Sequence, residues 1–221
     1  MKIIAINGSP RINWNTSTLL QKALDGAASK GAQTEIINLH QLNYKGCSSC
    51  FACKRKGSKS FSNCAMQDDL TQVLEKIKQA DAIIFGSPIY FSDITGEMRS
   101  FLERLLFQYL SYDKDVYLTI GTYAPKKLKT AFIYTMGETE TRMISQGYIE
   151  RFKPIEDFIS KTFGSSIEIL YSNDAYQFDD YSKYAASVFD VEEKIKHKKE
   201  QFPVDIAKAF DLGIKLVSSH I

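Results

Sequence analysis

Five short runs rich in β-branched and aromatic residues alternate with five apolar-periodic segments along this chain, and that alternation restricts its fold more than any other feature. The runs are Ile3 to Ile6, Thr34 to Leu39, Asp81 to Gly86, Thr130 to Thr135 and Ser166 to Tyr171. Their near-continuous apolar character is that of strands buried on both faces. Between and after them the spacing predicts helices over Asn15 to Ser29, Asp68 to Gln79, Gly96 to Leu110, Tyr148 to Phe163 and Val204 to Val217. Pro203 precedes the last one, where a missing N–H costs least. Strand–helix–strand repetition of this kind joins parallel neighbours, so the expected fold is α/β. It is a doubly wound, five-stranded parallel sheet with helices on both faces.

With 221 residues the chain can bury about 70% of its unfolded surface, enough for one domain, 1–221, with elaborations. Two segments exceed what the crossovers need: a cysteine loop at 43–66 and an extended last crossover at 172–203. Lys and Arg number 28 against 26 Asp and Glu, a formal charge of +2, which argues against a dedicated nucleic-acid or membrane surface. No apolar run reaches the ~18 residues of a membrane span, and no leader precedes the first strand. A cytoplasmic protein is expected.

The first strand stops at Asn7-Gly8-Ser9-Pro10, and Asn15-Thr16-Ser17-Thr18 opens the first helix. A strand, a hydroxyl-rich loop and a helix N-terminus make an anion site, because free N–H groups and the positive end of the helix dipole face the loop. Ser9, Arg11, Asn15, Thr16 and Ser17 supply donors enough for one terminal phosphate. The loop lacks the glycines of a dinucleotide fingerprint and the ending of a P-loop. A plainly capped surface helix would look the same, since Asn, Thr and Ser are common N-caps. The third strand ends in Ser87-Pro88-Ile89-Tyr90-Phe91-Ser92, a proline-stiffened turn with aromatic faces suited to stacking a planar ring, or simply to capping the core. The fourth ends in Thr135-Met136-Gly137-Glu138, where a glycine lets backbone approach a ligand. Three strand ends at the switch point of such a sheet make a ligand site.

These motifs, in this order, resemble the NADPH-dependent FMN reductase and iron–sulfur flavoprotein group, whose fold is flavodoxin-like. The resemblance rests on GSPR-x3-NT-x2-LL, on SPIYF followed by G-x-M-R-x-F-x-x-R-L, on cysteines ahead of Asp68-Asp69 and on the FPVDIAKAFDLG ending. It implies FMN, with Ser9, Arg11, Asn15, Thr16 and Ser17 on its phosphate. Pro88, Ile89, Tyr90 and Phe91 would lie along the ring system, and Thr135, Met136 and Gly137 on its other flank. NADPH or NADH would donate electrons to the flavin, and a small-molecule acceptor or a redox protein would remove them. No protein acid or base is required. A flavodoxin-type electron carrier is the competing class, but carriers of that kind are shorter and strongly acidic.

Cys47-x2-Cys50-x2-Cys53 has ferredoxin-like spacing, with Cys64 after ten intervening residues. The resemblance implies a 4Fe–4S cluster on these four, although its compact motif places the fourth cysteine closer. Zinc and metal-free thiols, serving ancestry or redox sensing, remain alternatives. Lys54, Arg55, Lys56 and Lys59 could offset thiolate charge. His40, His197 and His220 have no metal-ligand spacing, and Lys194, Lys196, Lys198 and Lys199 read as a solvated helix face. Tyr171, Tyr176, Phe178, Tyr181 and Tyr184 make the last crossover aromatic, as a subunit interface or a site cover would be. A homo-oligomer, dimer or tetramer, is expected.

Overall fold

A computed structural model of the chain describes residues 1–119 and 121–218. Its strands are β1 (Lys2–Asn7), β2 (Gln33–Asn38), β3 (Ala82–Tyr90), β4 (Asp93–Ile94), β5 (Lys129–Thr135) and β6 (Ile167–Ser172). Its helices are α1 (Asn15–Ala28), α2 (Asp69–Gln79), α3 (Gly96–Phe107), α4 (Lys114–Thr119), α5 (Glu140–Ser145), α6 (Tyr148–Phe163), α7 (Val191–Glu200) and α8 (Phe202–Ser218). Five strands are parallel in the order β2-β1-β3-β5-β6. A sixth, β4, folds back antiparallel on the end of β3. The count is therefore six strands rather than five, because two residues are too few to carry a period in the sequence.

The pleat sends alternate residues to opposite faces, and the central strands are apolar on both. Ile4, Ile6, Ile83, Phe85, Phe132 and Tyr134 meet α2, α3 and α6. Ile3, Ala5, Ala82, Ile84, Ala131 and Ile133 meet α1 and α8. Alpha carbons of α1 and α8 come close at two glycines. A Cβ on Gly213 would lie 1.8 Å from the Ala23 carbonyl oxygen, and one on Gly26 2.0 Å from that of Phe210. No helix among the described residues is long and apolar enough to cross a membrane.

β3 runs past Gly86 to Tyr90, so Pro88, Ile89 and Tyr90 belong to a strand and not to the expected turn. Pairing with β1 ends at Gly86, which leaves the far end of β3 an edge on that side, where proline is tolerated. The turn itself is Phe91–Ser92, both at positive φ, 50° and 65°.

One buried polar pair crosses the aromatic face. The Tyr134 hydroxyl donates to Glu156 Oε1 at 3.1 Å, and its ring stacks on Phe132 and Phe152 at 4.1 and 4.6 Å. Burial pushes the Glu156 carboxyl above the usual carboxylate range, with the tyrosine bond opposing. The folded state thus holds this proton more tightly than the unfolded chain. The contribution to stability is full below the unfolded pKa and is lost as pH rises through the folded one. Glu156→Gln keeps an acceptor for Tyr134 but cannot ionise. Urea unfolding should find it more stable than the parent at neutral pH and equal at acid pH; a variant weaker at neutral pH and equal at acid pH would mean the carboxylate form is preferred.

Candidate functional site

The strand order changes direction between β1 and β3, and the loops after β1, β3 and β5 meet there. Ser9, Thr16 and Ser17 are buried in the first loop, and Arg11 is exposed. The loop is cinched from within. The Ser9 N–H donates to Asn7 Oδ1 (3.0 Å), the Arg11 N–H to Ser9 Oγ (3.2 Å), and Ser17 Oγ takes the Trp14 N–H (3.0 Å) while donating to the Trp14 carbonyl (2.9 Å). Thr16 Oγ1 and Thr135 Oγ1 are 2.7 Å apart, which joins the first loop to the end of β5. Thr95 Oγ1, at the N-cap of α3, donates to the Gly8 carbonyl (2.8 Å) and ties the third loop in as well.

A strap from the last crossover closes over this loop. Arg11 Nη1 donates to the Gln177 carbonyl (2.6 Å), and Asn15 Nδ2 and Trp14 Nε1 both donate to the Tyr176 carbonyl (2.9 and 3.1 Å). Beneath the strap, Tyr176, Phe178, Tyr181, Tyr184 and Phe189 pack as a small core of their own, with Phe178 stacked on Tyr184 at 4.3 Å. Tyr171 is apart from them, stacked on Tyr134 in the main core.

Beside the strap lies a cavity of about 660 Å3, in the range of small-molecule and cofactor sites. Ile89, Phe91, Met136 and Gly137 line it, as do Gln177 and Phe189 from the crossover. Pro88, Tyr90, Thr135 and the expected phosphate residues Ser9, Arg11, Asn15, Thr16 and Ser17 are not among its lining residues; the loop after β1 connects to it through the Arg11 bond to the carbonyl of Gln177, which does line it. A Cβ on Gly137 would sit 2.3 Å from Gln177 Nε2, the end of a flexible side chain, so a larger residue there would displace the Gln177 amide. The donor set and the space fit a flat heterocycle with a terminal phosphate.

Cys47, Cys50, Cys53 and Cys64 are free thiols lining one small cavity of about 20 Å3, with Arg104 in its wall. Burial pushes the Cys53 thiol up, and the other three thiols add to the effect. That space holds about one water, and no group of three His, Cys, Asp or Glu side chains among the described residues is arranged to hold a metal ion. The four thiols line one cavity, but the loop would have to widen and rearrange to admit a cluster. Lys54 is close enough to Cys53 and Cys47 to interact with their thiolate charge, opposing burial at Cys53. Its ammonium also donates to the Phe107, Gln108 and Leu110 carbonyls, where α3 ends at Phe107, short of the expected Leu110. A second cation at the thiols is Arg104, whose Nε donates to Cys64 Sγ at 3.2 Å.

The family model of the NADPH-dependent FMN reductases matches residues 1–125, from β1 through α4. This chain belongs to the NADPH-dependent FMN reductase family. Among curated relatives, an iron–sulfur flavoprotein of Methanocaldococcus jannaschii is 38% identical over 104 residues, 47% of this chain and 51% of that protein. One of Clostridioides difficile is 32% identical over 129 residues, 56% of this chain and 54% of that protein. The matched stretch spans about half the length of these relatives. An NAD(P)H:quinone oxidoreductase from Methanothermobacter marburgensis shares the fold with a TM-score of 0.71, at 17% identity over 100% of this chain and 99% of that one. The flavodoxin-like expectation holds.

For this family member the sequence left several site residues unmarked. Trp14 and Gln177 act through a backbone-directed indole N–H and a packed amide, which leave no motif. Lys194 does not lie on a solvated face: it is 4% exposed, donates to the Gly137 carbonyl and pairs with Asp174, while Lys196, Lys198 and Lys199 are exposed as expected. His40 Nε2 lies 3.3 Å from the Glu97 carboxylate, and His220 is outside the described residues.

Proposed function

We propose that this chain is an FMN-dependent oxidoreductase that takes hydride from NADPH or NADH and reduces a quinone, a flavin or another small acceptor. One observation carries the reading: the cinched, donor-rich loop after β1 is bonded through Arg11 to the carbonyl of Gln177, a lining residue of a cavity of cofactor size beyond the ends of β3 and β5. Membership of the reductase family supports it. Bound FMN would supply the two-electron chemistry. Ser9, Arg11, Asn15, Thr16 and Ser17 would hold its phosphate, with Arg11 and Asn15 pre-aimed by the strap carbonyls. Pro88, Ile89, Tyr90 and Phe91 would flank one side of the ring, and Thr135, Met136 and Gly137 the other. The aromatic strap excludes water from the buried side, while Phe91, fully exposed at the mouth, leaves the other side open to donor and acceptor in turn. Exposed Phe91, Tyr112, Leu118 and Phe158 are suited to contacts in a homo-oligomer. Four unpaired thiols suit the reducing cytoplasm.

Titration of flavin-free protein tests this reading. FMN should bind, and Arg11→Ala should weaken it by about 1.5–3 kcal/mol, the worth of a hydrogen bond to a charged group. Riboflavin, which lacks the phosphate, should bind parent and variant alike. Equal weakening of both flavins would remove Arg11 from the phosphate, and no binding of either would remove FMN from the chain. Steady-state oxidation of NADPH and NADH with candidate acceptors then distinguishes an enzyme from a carrier.

A second reading is favoured by the convergence of four thiols on one cavity and by the names of the curated relatives: Cys47, Cys50, Cys53 and Cys64 as ligands of a 4Fe–4S cluster. Anaerobically purified protein should then carry close to four irons per chain, as four-cysteine ligation of such a cluster demands. Zinc alone, or neither metal, would return the cysteines to a structural or sensing role.

A further inference from the structure

Helix α7 turns a single side chain inward, and it is a lysine. Of its ten residues only Lys194 is buried, whereas a helix ordinarily docks through an apolar stripe. An ammonium is kept out of water only when its partners are good. Here they are the Gly137 carbonyl, 3.0 Å away, and the Asp174 carboxylate, with the Phe189 ring centroid at 5.3 Å. Lys194 and all three partners line the same cavity. Asp174 is itself held in the left-handed region, φ 50°, by its N–H on the Glu138 carbonyl (2.7 Å), and the Ala175 N–H donates to the Met136 carbonyl (2.8 Å). The turn after β5 and the start of the last crossover are therefore bonded to each other on both sides of Gly137.

We propose that Lys194 is a positioning residue that sets the Gly137 peptide for the ring end of the bound flavin, an inference that rests on the FMN reading above. In a planar trans peptide the Gly137 C=O and the Glu138 N–H point in opposite directions. An ammonium fixed on that oxygen thus decides where the N–H aims. Gly137 has no Cβ to restrain its own rotation, and the Gln177 amide packs where one would stand. The orientation of this peptide is consequently imposed by Lys194, a residue 57 positions away. Asp174 keeps the ammonium aimed, and α7 serves as the arm that delivers it.

The test compares FMN and riboflavin affinities of the flavin-free parent, Lys194→Met, Lys194→Arg and the double variant Lys194→Met/Asp174→Asn, with thermal unfolding of each. Lys194→Met should weaken both flavins by about tenfold, equally, because it acts at the ring and not at the phosphate. Lys194→Arg, which keeps charge and donors, should recover most of the loss. The double variant removes the stranded carboxylate, so its melting temperature should return toward the parent while its flavin affinity stays low. Parent-like affinity in folded Lys194→Met, a loss confined to FMN, or recovered affinity in the double variant each overturns the proposal. The last would reduce Lys194 to charge balance. If Lys194→Met does not fold, the double variant carries the same comparison. A parent that binds neither flavin overturns the FMN reading and this proposal with it, whereas a flavin-binding parent with an unaltered variant overturns only the positioning role.

Discussion

Arg104→Met should destabilise the protein by about 3–5 kcal/mol, the range for removing one partner of a buried charged network. Arg104 is 1% exposed, and each guanidinium nitrogen is committed. Nε donates to Cys64 Sγ, Nη1 to the Lys45 carbonyl (3.2 Å) and the Asp68 carboxylate, and Nη2 to the Met66 carbonyl (3.3 Å). It therefore clasps the chain on both sides of the cysteine loop to α3. Asp68 also caps α2 through the Leu70 N–H (3.1 Å), so the loss spreads to that helix. Methionine fills the space without supplying any of these bonds. Arg104→Lys retains the charge but not the planar fork, and should recover less than half of the loss. Urea unfolding gives the energy, and alkylation of the thiols under native conditions gives the location, since Cys64 and Cys53 should react faster once the clasp opens. A variant within about 1 kcal/mol of the parent, the worth of an ordinary hydrogen bond, with unchanged alkylation would show that the loop is held elsewhere.

Gly213→Ala should cost about 3 kcal/mol, the upper end of overpacking losses and more than the ~1 kcal/mol that alanine gains over glycine inside a helix. The added methyl would meet backbone atoms, Ala23 O at 1.8 Å and Ala27 N at 2.9 Å, which have no rotamer to escape into. Helices α1 and α8 would have to separate, carrying with them the face of the sheet they cover. Gly96→Ala is the matched control. A Cβ there meets nothing within 4 Å, and Gly96 has no positive φ to lose, so its unfolding midpoint should stay at or above the parent value. Comparable losses in the two variants would mean that glycine content, not the helix crossing, matters.

The central strands were legible because they are buried on both faces, so Ile3–Ile6 and Phe132–Tyr134 need no partner to be recognised. Pro88 was misleading: proline reads locally as a turn, and only the end of β1 pairing explains why the strand continues through it. The α7 lysines read as a solvated helix face because the partners of Lys194 lie far back in the chain. The same limit applies to the loop after β1. Its donors could be named from Ser9 to Ser17, yet the acceptors over them are main-chain carbonyls of Tyr176 and Gln177, and a carbonyl has no residue type. Arg104 stood inside a recognised motif without any sign that its partners would be a thiol and a helix cap.

The strap has a consequence for the order in which the molecule can come into being. Arg11 and the Gln177 carbonyl that holds it are 166 residues apart. At ribosomal rates of 5–20 residues per second, roughly 8–33 s separate their synthesis. During that interval the first loop is made but unroofed, with Arg11, Trp14 and Asn15 lacking their acceptors. Any ligand held jointly by loop and strap is therefore captured only once the last crossover has been made, and a nascent chain stalled before it should hold none.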